Sequence, residues 1–117
     1  MRYTVDFSKF EGPFTLPEEE GARIMGELLA HFEGKKLSVF FETMSYVYNA
    51  AMEKKACLEI FMDEKEKTGS FTLTAKDFTT ARSAYAKDAL RMVLERTDLQ
   101  IRTQNGLVVI EGKADLK

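Results

Sequence analysis

The dipeptide Asn105-Gly106 separates "LQIRTQ" from "LVVIEGK", and no other local feature restricts the fold of this chain so tightly. Both residues tolerate positive φ, which a two-residue hairpin turn demands at each central position. Closing the turn with Gln104 opposite Leu107 sets Ile101 across from Ile110 and Thr103 across from Val108, so the apolar faces coincide. A slip of one residue would send every apolar side chain to the wrong side. This stretch is therefore expected to form an antiparallel pair.

Two further segments read as strands. "RYTVDF" alternates, with Tyr3, Val5 and Phe7 on one side and Arg2, Thr4 and Asp6 on the other. "ACLEIFMDEKEKTGSFTLTA" reads as a second hairpin whose charged turn ends in Gly69. In it Leu58, Ile60 and Met62 share a side with Phe71 and Leu73. "SKFEGPFT", with Gly12-Pro13, reads as a loop whose Phe10 and Phe14 plug the edge of the core.

Helical spacing governs the remainder. "LPEEEGARIMGELLAHFEG" places Pro17 at a first helical position, followed by three glutamates that complement the positive helix end. Ile24, Met25, Leu28, Leu29 and Phe32 fall on one face, and Gly34 is expected to stop the helix. "SVFFETMSYVYNAAMEKK" carries four aromatic rings. Phe40, Phe41, Met44, Val47, Tyr48 and Ala51 recur at the spacing of a single helical face, and only Tyr46 points away from it. A third helix is expected in "TAKDFTTARSAYAKDALRMVLERTD", opened by Thr74 and Asp77 as a capping box and running to about Arg96. Phe78, Tyr85, Ala86, Ala89 and Val93 form its inward face.

The element order is β-α-α-β-β-α-β-β, with hairpins and no βαβ rhythm. It predicts an α+β fold: an antiparallel sheet of about five strands packed by three helices. Residues 1–117 show no repeat or linker, which is the size and pattern of a single globular domain.

Composition narrows the class of function. A balance of 44% apolar and 31% charged residues belongs to a soluble globular protein. The net charge of −2 argues against both a nucleic-acid binder and an acidic mimic of DNA. No apolar run approaches the length of a membrane span, so no membrane role is expected. The lone Cys57, with no disulfide and no signal-peptide pattern after Met1, predicts a cytoplasmic protein.

Little here predicts reaction chemistry. His31 and Cys57 each occur once, and a thiolate–imidazole pair would need the fold to join them. Glu27 and His31 are four apart on one helix but lack the further ligands of a zinc site, and Glu27 is equally placed to pair with Arg23. No phosphate loop, dinucleotide fingerprint or nucleophile elbow is present. No catalytic residue, metal or cofactor is expected.

Two residues do not fit their faces. Arg82 lies in the middle of the third helix's inward side, where it must pair with an acid, reach water past its alanine neighbours, or bind an anionic group together with Tyr85. Tyr46, with Thr43, Asn49 and Ala50 around it, has the make-up of a partner-binding patch or of an ordinary exposed ring. The expected function is a non-catalytic protein-binding module of inhibitor, immunity or adaptor type that covers a site on another protein. The alternative is a small-molecule binder for a nucleotide or other anion held by Arg82 and Tyr85. Hairpin edges and the alanine-rich third helix make a homodimer a candidate state.

Overall fold

The computed structural model describes residues 1–9, 17–76 and 91–117. The elements follow in the expected order: β1 (Arg2–Asp6), α1 (Glu18–His31), α2 (Gly34–Glu53), β2 (Cys57–Asp63), β3 (Thr68–Ala75), α3, then β4 (Asp98–Gln104) and β5 (Leu107–Asp115). Helix α3 is described over 91–96. The five strands form one antiparallel sheet in the order β1-β2-β3-β5-β4.

Turn chemistry sets both hairpins. Asn105 and Gly106 have φ of 53° and 77°, and the strands they join keep the expected register, with Ile101 opposite Ile110 and Thr103 opposite Val108. The β2–β3 turn differs from expectation. Gly69 is already inside β3, and the turn is held by the Asp63 carboxylate, which accepts from the amides of Lys65 and Glu66, with Lys67 taking the positive φ of 55°. An aspartate bonding amides two and three residues on bends the chain as a glycine would.

The glycines of the sheet serve packing instead. A Cβ on Gly69 would lie 2.7 Å from the Phe40 ring, and one on Gly112 would overlap the Phe71 ring. Each missing side chain makes the space a buried phenyl group occupies, which is how large and small residues interdigitate in a dense core.

Helix α2 carries the largest share of that core. Leu37, Phe40, Met44, Val47 and Ala51 are buried and pack with Leu58, Met62, Phe71 and Leu73 of the sheet. Phe41 and Tyr48 sit half-buried at the margin, and Phe7 meets the Tyr48 ring edge-on at 5.1 Å. Gly34 does not stop α1; it is the first residue of α2, whose amide end is capped by the Glu33 carboxylate accepting from Lys36 N at 2.9 Å. Helix α1 is placed one residue later than expected, with Pro17 as its N-cap. It rests on a narrow stripe of Ile24, Leu28 and Phe32, leaving Met25 and Leu29 exposed. The 100° step between neighbours carries Met25 and Leu29 off a contact line that thin.

Candidate functional site

Strand alternation sends Tyr3, Val5, Leu58, Ile60, Met62, Phe71, Leu73 and Ile110 toward the helices. The opposite face receives no described helix. It is a mosaic of Arg2, Thr4, Glu59, Phe61, Ser70, Thr72, Glu111, Lys113, Gln100 and Arg102, aligned across strands by the registers. Two apolar side chains interrupt it: Val109, buried between Thr74 and Arg102, and Phe61, 37% exposed among polar neighbours. The Arg2 guanidinium lies 5.2 Å from the centre of that ring and also pairs with Glu59. Arg102 donates to Glu111 at 2.9 Å, which holds the Glu111 carboxyl below the usual carboxylate range. The face is thus rich in hydrogen-bonding groups, with one aromatic ring stacked under an arginine.

A second feature lies where the N-terminus of α2, the end of α3 and the end of β5 meet. A cleft of about 460 Å³ opens there, lined by Lys35, Lys36, Val39, Thr43, Arg96 and Leu116, among others. Arg96 reaches toward Glu42 on α2, with Nη1 3.3 Å from Oε2. That Nη1 is buried and makes no hydrogen bond, because the separation brings charge to charge without aligning the N–H. The acids on the rim are committed elsewhere. Glu33 is bonded by the Lys36 and Lys35 amides, which lower its pKa, and Asp115 accepts from Lys117 N at 2.9 Å. The Thr43 and Thr97 hydroxyls donate back to Val39 O and Val93 O within their own helices. The lining therefore mixes three cations, Lys35, Lys36 and Arg96, with the carboxylates of Glu33 and Asp115.

The expected patch around Tyr46 is altered in the structure. Thr43 is 1% exposed and belongs to the interior, Tyr46 packs half-buried against the core, and Ala50 is half-buried beside it. Only Asn49 stands fully in solvent. Glu42, one turn before Tyr46 on α2, is paired with Arg96 from the end of α3. Arg82 and Tyr85 lie outside the described residues, as do Phe10, Phe14, Asp77, Phe78, Ala86 and Ala89.

His31 and Cys57 are not brought together. His31 stands by the β2–β3 turn, its Nε2 3.6 Å from Glu64 Oε2, and Lys67 Nζ donates to its carbonyl. Cys57 begins β2 at the other end of that strand, roughly 20 Å away at the usual rise per residue. Partial burial, and then the nearby Asp6 and Glu59 charges, push its thiol pKa up, opposite to what a nucleophile needs. Glu27 pairs with Arg23 at 2.9 Å instead of joining His31. Among the described residues no three metal-ligating side chains converge.

Sequence reasoning passed over Phe61 and Arg96. The alternation of "LEIFMD" does mark Phe61 as the ring on the polar side, but its arginine partner comes from β1, more than fifty residues earlier. Arg96 was one of several basic residues scattered around a helix, and only the cleft distinguishes it. These features belong to a small α+β protein with a five-stranded antiparallel sheet. The chain matches no family model, no curated protein and no solved structure.

Proposed function

We propose that this chain is a non-catalytic protein-binding module of inhibitor, immunity or adaptor type, working in the cytoplasm by laying the sheet face around Phe61, which no described helix covers, over a site on a partner protein. The observation that carries this reading is Phe61, a partly exposed aromatic ring on a polar face, with Arg2 stacked over it. Aromatic and arginine side chains dominate the energetics of protein interfaces, and a polar surround closes water out of the contact. The single Cys57, which has no second cysteine to pair with, suits a reducing compartment. The test compares Phe61→Ser with the native chain in crosslinking from cell extract. The variant should keep its melting temperature to within a few degrees and lose the crosslinked species; equal crosslinking by both chains contradicts the proposal.

A second reading, binding of a small anion, was expected at Arg82 and Tyr85, which lie outside the described residues, and is supported among the described ones by the cleft at Arg96. A buried guanidinium nitrogen with no hydrogen bond, flanked by two lysines, supplies donors for a phosphate or carboxylate group. Inorganic phosphate or a nucleoside phosphate should then raise the melting temperature, since a ligand bound only by the folded chain stabilises it. Arg96→Met should abolish that rise. A rise that survives the substitution, or none at all, removes this reading.

A further inference from the structure

The sheet has two edges, and they differ in how they end. At the β1 edge the strand is five residues long, the Asp6 carbonyl is already taken by Lys9 N, and the Asp6 carboxylate is taken by Ser8. The Asp6 end of that edge is thus closed off, and the strand beyond it is short. β4 is seven residues long, has no proline, glycine or lysine, and pairs with β5 without a bulge. Edge strands usually carry one of those features to block further pairing. Here the exposed position is apolar: Ile101, at 70%, is the most exposed large hydrophobic side chain among the described residues.

The hydrogen-bonding phase of this edge can be counted from the hairpin. Gln104 and Leu107 close the two-residue turn as a hydrogen-bonded pair, and bonded pairs alternate along an antiparallel ladder. Gln104, Arg102, Gln100 and Asp98 therefore bond to β5, and the amides and carbonyls of Leu99, Ile101 and Thr103 face outward. Among the described residues nothing receives them.

We propose that the partner of this edge is a second copy of the same chain, paired antiparallel through β4 about a two-fold axis normal to the sheet and centred on Gln100. In that register Leu99 lies across from Ile101 twice on the helix side of the sheet, so each exposed isoleucine gains an apolar neighbour. Asp98 lies across from Arg102 twice on the Phe61 side, giving two opposite-charge cross-strand pairs. Arg102 keeps Glu111 on its other flank. Centring on Ile101 instead would keep one apolar pair, Ile101 against itself, but would set Leu99 against Thr103 and Asp98 against Gln104, losing both opposite-charge pairs. The result is a continuous ten-stranded sheet with α1 and α2 of both copies on one side and two Phe61 faces side by side on the other. This assembly does not depend on the partner-binding reading above.

The experiment is sedimentation of the native chain and of two charge reversals, with circular dichroism to establish that each is folded. The native chain should sediment at twice 13.3 kDa. Asp98→Arg and Arg102→Asp each place like charges opposite one another and should raise the dimer dissociation constant about tenfold. Mixing the two variants restores two opposite-charge pairs and should recover a heterodimer that neither forms alone. A second measurement fixes the register: in a Cys57→Ser background, Gln100→Cys should oxidise to a covalent dimer, whereas Ile101→Cys should not, because only facing residues come within disulfide reach. A monomeric native chain overturns the proposal. So does a dimer indifferent to both reversals, a mixture that stays monomeric, or crosslinking through position 101 in place of 100.

Discussion

Tyr46 shows how packing changes the meaning of a residue. On a helical wheel it stands opposite the apolar face of α2, yet its ring is half-buried and packs against the core. Tyr46→Ala should therefore cost about 1–2 kcal/mol of stability, the loss of a half-buried ring, and lower the melting temperature. A truncation with no thermal effect would return Tyr46 to the surface. Thr43, expected beside it at the surface, is interior instead and satisfies its hydroxyl against Val39 O one turn earlier.

At the scale of elements, α2 and the β4–β5 hairpin were legible from sequence because their signals are local. An apolar repeat near every third or fourth residue makes a helix wherever it packs, and Asn-Gly makes a tight turn whatever surrounds it. Helix α1 was legible in existence but not in depth, since Met25 and Leu29 share the apolar period with Leu28 while only the sheet decides how wide a stripe is covered. Gly112 was not legible at all. Its role, space for the Phe71 ring on the neighbouring strand, exists only once β3 and β5 are paired, with Phe71 and Gly112 directly opposite. Gly112→Ala should destabilise the protein by about 1–3 kcal/mol through overpacking. Phe71→Leu in the same chain should recover part of that loss, as measured by denaturant unfolding; additive losses would show that the clash is not the cause.

At the scale of the whole molecule, four carboxylates among the described residues tie stability to pH. Asp6 is held below the usual range by the Ser8 hydroxyl and amide, Glu33 by the Lys36 and Lys35 amides, Asp63 by the Glu66 and Lys65 amides, and Glu111 by Arg102. A carboxyl whose pKa is lower folded than unfolded contributes stability in full above its unfolded value and loses it as pH falls through the folded one. Stability should accordingly be level near neutrality, begin to fall below the ordinary glutamate value of 4.5, and fall further below the aspartate value of 3.8. Thermal melts across that range check this. Glu33→Gln should narrow the gap between neutral and acid melts, because it removes a charged cap that acid would otherwise neutralise.

Local order was contained in the chain itself: which segments are strands or helices, which side of each is apolar, and the register of the last hairpin all follow from periodicity and turn chemistry, which act within a few residues. The sites were not. The Arg2–Phe61 stack, the cleft at Arg96 and the free edge of β4 each join groups distant in sequence, or depend on which strand ends the sheet. Only the packed chain decides such pairings, because non-local contacts form at the expense of conformational entropy that no short segment can offset alone.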